Sequence, residues 1–291
     1  VLFRDADREV VAAHNVCPHR GSLLSQGVVL NGNIQCPYHG LQFEGSGRCV
    51  HVPSNKPGAK IPEKLRLNLI AVREHANLIW VCLDGTGQVP LPGWPQLSDA
   101  DLQNYHLPAI DATTSATRFC ENFNDVSHFQ FVHAGTFGGG CKEIVDDHSV
   151  RKTDAGLQFD IDIEQIDRVT LEGALGTTTS AKYSYDFTYP FSNKMHIRFD
   201  ETRSQYIFAA VTPTSARTCR VHIQFARNFD FDEPIEKSLE FEAAVTAEDL
   251  RVIEKVSPAE SPLDLSEEFH VPADRWSVAF RRTWKEYGLA Q

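Results

Sequence analysis

The chain has 291 residues, 42% of them hydrophobic and 23% charged, with a formal net charge of -11 at pH 7. That length accommodates one large or two ordinary domains around a sizeable core, and the acidic balance, with no Lys/Arg-rich run, argues against nucleic acid or an anionic membrane as partner. Apolar runs such as Leu78 to Leu83 are far too short to span a membrane and no signal-peptide pattern is present, which makes the cytoplasm the default compartment.

Val1-Leu2-Phe3-Arg4-Asp5 reads as the middle of a strand entering a turn at Asp5 to Asp7, which suggests that residues precede Val1. Up to Asp84, short apolar runs alternate with turn residues: Val10 to Ala13, Val28 to Leu30, Ile34 to Cys36, Leu69 to Val72 and Leu78 to Cys82. Asn31-Gly32 is a two-residue hairpin loop and Gly45 to Gly47 another turn, so the pattern is all-β. The seven cysteines, Cys17, Cys36, Cys49, Cys82, Cys120, Cys141 and Cys219, are odd in number and scattered, which fits a reducing compartment better than a disulfide framework.

Two segments in this region carry metal-ligand chemistry: Cys17-Pro18-His19-Arg20-Gly21 and Cys36-Pro37-Tyr38-His39-Gly40. Each offers a thiolate and an imidazole from a loop. A structural zinc finger pairs Cys with Cys and then His with His, whereas here each Cys is followed by its own His, so the spacing disfavours a finger. A Rieske [2Fe-2S] centre, in which two His replace two Cys on one iron, has the stoichiometry offered. Cys17 and Cys36 then hold one iron and His19 and His39 the other. Arg20 and Tyr38 flank these ligands and are equally explained as exposed loop residues; His14, His51 and His75 have no partner at metal spacing and are given no role.

Pro90 to Pro95 breaks the β pattern and places a domain boundary near residue 96, giving domains 1–96 and 97–291. Beyond it, Asn122 to His133 contains Asp125, His128 and His133. Two imidazoles and one carboxylate with open positions form the set associated with oxygen-activating ferrous iron, so a further carboxylate must come from elsewhere in the chain. Residues five apart on an ideal α-helix lie about 140° apart around its axis, so a shared metal requires a π-bulge or an early helix end between them. A pair of helix histidines satisfied by backbone or water accounts for these residues equally well at this point.

Alternating segments follow: Gly156 to Ile163, Ala181 to Tyr189, Met195 to Phe199, Gln205 to Val211 and Arg220 to Ala226, an antiparallel sheet. Tyr183, Tyr185, Phe187 and Tyr189 share one strand face and read as core unless that face meets His128. A helix opens near Pro234 and runs to about Lys255, with Ile235, Leu239, Val245, Val252, Ile253 and Val256 as its buried stripe; Ser257-Pro258 stops it, and a last helix spans about Ala273 to Tyr287. The fold class is α+β. Glu248-Asp249 on the long helix could supply the missing carboxylate, and periodicity does not choose between them; a solvated acidic face is the alternative.

Taken together, Cys17-x-His19, Cys36-x2-His39, Asp125, His128, His133 and Glu248-Asp249 resemble the terminal oxygenase component of the Rieske non-heme iron oxygenases, over nearly the whole chain. The resemblance implies an all-β Rieske domain followed by a helix-grip catalytic domain, with Asp249 rather than Glu248 as third ligand of a mononuclear Fe(2+). Ser22 and Tyr38 stand where respiratory Rieske proteins have an extra disulfide, so the oxygenase type is implied. It also implies that Asp125 bridges an iron-ligand histidine to a cluster histidine of a neighbouring subunit in a homotrimer, with Asn122 near the iron. Electrons would come from NAD(P)H through a separate ferredoxin or flavin reductase, with O2 as co-substrate. The chain length is closest to compact enzymes such as vanillate and dicamba O-demethylases, which points to monooxygenation, by hydroxylation or demethylation, of a small aromatic or heterocyclic substrate. The alternatives are a cis-dihydroxylating dioxygenase, a Rieske electron-transfer protein fused to a binding domain, and a zinc-stabilised binding module. Gln130, Thr136 and Phe137 are near enough in sequence to line the pocket, although helix packing explains them equally.

Overall fold

The computed structural model describes residues 1–83, 90–167, 169–170, 173–174 and 176–286; Asp84 and Tyr287, the expected ends of the β region and of the last helix, lie outside the described residues. The chain divides into two compact units, Val1–Gly93 and Trp94–Gln291. Trp94 is buried and stacks on Phe208 at 5.3 Å, which assigns the end of the Pro-rich segment to the second unit.

The first unit holds two four-stranded antiparallel sheets. One contains β1 (Leu2–Arg4), β2 (Val10–Ala13), β7 (Leu69–His75) and β8 (Leu78–Cys82), in that order; the other contains β3 (Val28–Leu30), β4 (Asn33–Gln35), β5 (Gln42–Phe43) and β6 (Cys49–His51). Asn31 and Gly32 form the expected hairpin turn with φ of 51° and 78°, the left-handed pair that such a two-residue loop requires. The core of this unit, Phe3, Val11, Leu24, Ile34, Phe43 and Leu67, includes Cys17 and Cys36, so the loops that carry them are anchored by burial.

The second unit opens with β9 (Gln103–His106) and β10 (Ile110–Ala112), followed by α1 (Ala116–Phe123) and the one-turn α2 (Phe129–Val132). Then come β11 (Arg151–Lys152), β12 (Gly156–Ile166), the small hairpin β13 (Val169–Thr170) and β14 (Gly173–Ala174), β15 (Thr178–Thr188), β16 (Ser192–Arg198), β17 (Ser204–Ser215) and β18 (Thr218–Arg227). The main sheet is antiparallel, in the order β10-β18-β17-β16-β15-β12-β11, with β9 also on β18. Two helices follow, α3 (Ile235–Ile253) and α4 (Arg275–Glu286), so the unit is α+β as expected.

Phe187 of β15 and Tyr189 just beyond it meet Trp276, Phe280 and Trp284, which recur every fourth residue on α4 and are fully buried. Helix α3 departs from its expected stripe: Ile253 is buried, but Val252 and Val256 are 43% and 38% exposed. The inward face of α3 carries acidic residues in their place, because it lines a cavity rather than a dry core. No helix among the described residues is long and apolar enough to cross a membrane.

A buried charge network ties the helices together. Arg281 of α4 donates to Glu121 at 2.6 Å and to Glu268 at 2.7 Å, and Arg118 of α1 also binds both acids. Breaking a buried pair on one side strands its partner charge, at a cost of about 3–5 kcal/mol. Arg281→Met should therefore lower the urea midpoint of the second unit by an amount equivalent to about 3–5 kcal/mol, whereas removing the exposed Arg220–Asp111 pair with Arg220→Met should leave the midpoint where it is.

Candidate metal centres

The two Cys/His loops of the first unit have the same backbone design. In each, the Cys N–H donates to the carbonyl five residues on, Ser22 at 2.8 Å and Leu41 at 2.8 Å, while the glycine N–H four residues on donates back to the Cys carbonyl, at 2.9 Å from Gly21 and 3.1 Å from Gly40. Gly21 and Gly40 take φ of 76° and 73°, the left-handed region that closes each loop.

The loops bring like ligands together. The Cys17 and Cys36 thiols are buried and hydrogen-bonded to one another, and the rings of His19 and His39 lie 4.7 Å apart, edge to face. Backbone N–H groups point at both sulfurs, from His19 and Arg20 at Cys17 and from Tyr38 and His39 at Cys36, and the Ser22 hydroxyl adds one more at Cys36. Burial raises the Cys17 thiol; at Cys36 burial also opposes the thiolate, but these donors outweigh it and lower the thiol below its usual value.

One tetrahedral zinc would hold its four ligand atoms about 3.5 Å from one another. Among the described residues the only three metal-binding side chains whose ligand atoms all fall within 4.8 Å are His128, His133 and Asp249. Cys17, Cys36, His19 and His39 thus form a thiol pair and an imidazole pair rather than a single-ion cage, the arrangement a two-iron cluster fits. Tyr38 is 64% exposed and stacks on His39 at 3.8 Å, so it covers the imidazole side of the pair.

The second centre depends on the break between α1 and α2. Helix α1 stops at Phe123, and α2 is so short that His128 precedes its first residue and His133 follows its last. The early helix end, not a π-bulge, allows residues five apart to face each other, with ring centroids 5.2 Å apart.

Each imidazole is oriented by a carboxylate behind it. His128 Nδ1 lies 2.9 Å from Asp125 Oδ2, and His133 Nδ1 lies 2.8 Å from Glu248 Oε2. A carboxylate oxygen accepts from each Nδ1–H, which leaves each Nε2 as the ring atom available to a metal. They converge on a single atom: Asp249 Oδ1 lies 3.3 Å from His128 Nε2 and 3.2 Å from His133 Nε2. Neighbouring ligands of a six-coordinate ion with bonds of about 2.1 Å are separated by about 3 Å, close to the two distances from Asp249 Oδ1, and all three atoms lie within 4.8 Å of one another. Asn122 Nδ2 also donates to Asp249 Oδ1, at 3.2 Å.

Burial alone would raise Asp249 and lower His128, but the mutual contacts prevail and hold Asp249 down at about 2, while Asp125 and Asp249 lift His128 to about 9. The site is therefore built for a cation. Asp125 accepts two further hydrogen bonds, from the Ser127 N–H and hydroxyl, and these with His128 overcome burial and keep it ionised.

The sequence-derived residues of this centre are brought together: Asn122, Asp125, His128, His133 and Asp249. Sequence reasoning weighed Glu248 only as a rival ligand; it instead orients His133 and accepts from the Thr136 hydroxyl at 2.8 Å. Its pairing with Asp249 was the available signal, since consecutive helix residues point to different partners. Among the pocket guesses, Phe137 lines the cavity and stacks on His133 at 4.8 Å, Thr136 acts through Glu248, and Gln130 is not part of the lining. Tyr183, read as core with the rest of its strand face, borders the cavity with His128.

Partners that orient metal-bound imidazoles typically contribute 10–100-fold to affinity. Glu248→Gln should raise the chelator sensitivity of the mononuclear iron by about 10–100-fold and leave the visible spectrum of the cluster unchanged, as a chelator titration followed by iron analysis would show.

Residues 1–72 match the Rieske [2Fe-2S] domain family, and residues 112–289 match the vanillate O-demethylase oxygenase C-terminal domain family. Methylxanthine N1-demethylase NdmA of Pseudomonas putida is 29% identical over 96% of this chain and 77% of that protein. The oxygenase component of dicamba O-demethylase from Stenotrophomonas maltophilia is 27% identical over 80% of this chain and 72% of its own length. The solved structure of NdmB from Pseudomonas putida superimposes with a TM-score of 0.85 at 27% identity, covering 98% of this chain and 80% of that one. With both domain families matched in this order and a His/His/Asp group in the second unit, the chain belongs to the Rieske non-heme iron oxygenases, as a terminal oxygenase component of the demethylase type that carries a [2Fe-2S] cluster and a mononuclear iron.

Proposed function

We propose that Cys17, His19, Cys36 and His39 hold the cluster within a domain of residues 1–96, and that His128, His133 and Asp249 hold the iron within a domain of residues 97–291. The enzyme would be a monooxygenase that demethylates a small aromatic or heterocyclic substrate. What supports the ligand assignment is the convergence of two Nε2 atoms on Asp249 Oδ1, each ring held from behind by its own carboxylate. When bound, the cluster supplies electrons one at a time and the ferrous iron activates O2.

The chain's own residues do the rest. Asp125 and Glu248 fix the tautomer and tilt of the two rings, and Asn122 holds the Asp249 carboxylate. Phe129 packs on both imidazoles and Phe137 stacks on His133, while Phe119 and Phe123 add apolar lining to the same cavity. The cavity has a volume of about 340 Å³, suited to a molecule of one or two rings. Demethylation converts R–OCH3 or R–NHCH3, O2, two electrons and two protons into R–OH or R–NH2, formaldehyde and water.

Members of this family take electrons from a separate donor. For this chain we assign a ferredoxin or flavin reductase that oxidises NAD(P)H, and a homotrimer in which Asp125 connects His128 to a cluster histidine of the adjacent subunit. The test is a screen of O-methyl and N-methyl aromatic compounds with a surrogate reductase. One NADH and one formaldehyde per substrate consumed are expected. A cis-diol without formaldehyde would assign dihydroxylation instead, and no substrate-dependent NADH consumption across the panel would overturn the oxygenase assignment.

A further inference from the structure

Helix α3 lends three carboxyl groups to the lining of one cavity, the exposed Glu240 and the half-buried Glu242 and Asp249. Asp249 meets the imidazoles. Glu242 lies seven residues earlier, on nearly the same helix face and about 10.5 Å up the axis at 1.5 Å per residue. Gln205 Nε2 of β17 donates to Glu242 Oε1 at 2.6 Å, and the Tyr105 hydroxyl of β9 binds the same carboxyl. A carboxylate has about four acceptor positions, so two partners leave capacity directed at the cavity.

The cations of the lining are already engaged. Arg227 donates to Gln103 Oε1 and to the Asp230 carbonyl, Arg203 is divided between Asp167 and Asp200, and Lys237 reaches Glu233 at 3.4 Å. Against these three cations the described lining holds six acids: Asp167, Asp230, Glu233, Glu240, Glu242 and Asp249. A substrate carboxylate would meet more acids than cations, with Arg203 held by two carboxylates and the Arg227 N–H groups already given to Gln103 and a backbone carbonyl.

We propose that Glu242 sets substrate choice, accepting a hydrogen bond from an N–H group at the end of the substrate remote from the oxidised carbon, so that the site takes neutral or cationic nitrogen-bearing aromatics and turns away aromatic carboxylates. This assignment rests on the demethylase reading above and narrows it. Burial pushes the Glu242 carboxyl up to about 7, against the opposing pull of Gln205, Arg227 and Tyr105. Burial carries the Tyr105 hydroxyl far above this range, so Glu242 is the acid at the remote end whose charge changes near neutrality. Below pH 7 it is mostly neutral; above pH 7 it is mostly anionic, and exclusion of a carboxylate strengthens as pH rises.

The test compares two isosteric probes, 4-methoxybenzamide and 4-methoxybenzoate, binding to the iron-loaded full chain by calorimetry at pH 6 and pH 8. At pH 8 the amide should bind at least about tenfold more tightly, because like charges placed together in a binding site cost several kcal/mol. Benzoate affinity should fall between pH 6 and pH 8. Glu242→Gln should bring the two affinities within about threefold and remove the pH dependence, and Glu242→Leu should weaken the amide. Benzoate binding to the wild type at pH 8 as tightly as the amide, an unchanged ratio in Glu242→Gln, or no binding of either probe at millimolar concentration would overturn the proposal. Iron content of the same samples separates the two levels: a missing mononuclear iron refutes the demethylase reading, whereas full iron with the wrong probe ratio refutes only the role of Glu242.

Discussion

Asp249→Ala is expected to produce a protein with two irons per chain instead of three, an unaltered cluster spectrum and no measurable turnover. Asp249 is the one carboxylate among the three converging side chains, and its Oδ1 is the atom on which His128, His133 and Asn122 all close. Outer partners of metal ligands already contribute about 10–100-fold, so loss of a ligand should weaken iron binding by more than about a hundredfold. The cluster loops belong to a separate compact unit with its own core, so their iron should survive. Iron analysis and visible absorbance on one preparation check both halves: simultaneous loss of cluster and mononuclear iron would mean general unfolding, and retention of all three irons would remove Asp249 from the ligand set.

Asp125→Asn should have a different signature. The carboxamide keeps the size of the side chain and can still accept from His128 Nδ1, so most of the mononuclear iron should remain. What changes is the charge. The contacts of Asp125 favour its ionised form, and it pairs with His128 Nδ1. If Asp125 is the connection between the two metal centres of adjacent subunits, turnover should fall by about a hundredfold or more, a loss on the scale of about 3 kcal/mol of barrier, with cluster reoxidation slowed to match in stopped-flow absorbance. A purely local positioning role gives another outcome, in which iron is lost in parallel with activity and the remaining loaded sites reoxidise their clusters at the normal rate.

Much of the site could be read from the residues because the ligands come in short, chemically unusual runs. Cys17 to Gly21 and Cys36 to Gly40 carry ligand, turn proline and left-handed glycine within five positions, so sequence alone states the loop. The strands of the second unit were visible through alternation, since each has one face in the core and one outside it, with Tyr185 and Phe187 buried among them. The α3 stripe holds at Ile235, Leu239 and Ile253 and fails at Val252 and Val256, for a physical reason. Apolar spacing assumes a dry partner, but the inward face of α3 borders a polar cavity, so Glu242 and Asp249 point inward while Val252 and Val256 face outward. Distances across the chain were also beyond reach: Asp249 lies more than a hundred residues from the histidines, and only the family resemblance chose it over Glu248. The fold gives that choice a local cause, because Glu248 is already engaged with His133 Nδ1 and the Thr136 hydroxyl.

The most direct test is the metal and sulfide content of the purified, reconstituted chain. One [2Fe-2S] cluster and one separate iron require about three irons and two acid-labile sulfides per chain, with the absorbance and low-field paramagnetic signal of an imidazole-ligated cluster. Two irons and two sulfides, unchanged by His133→Ala, would reduce the chain to an electron carrier, and a single zinc without sulfide would contradict both centres.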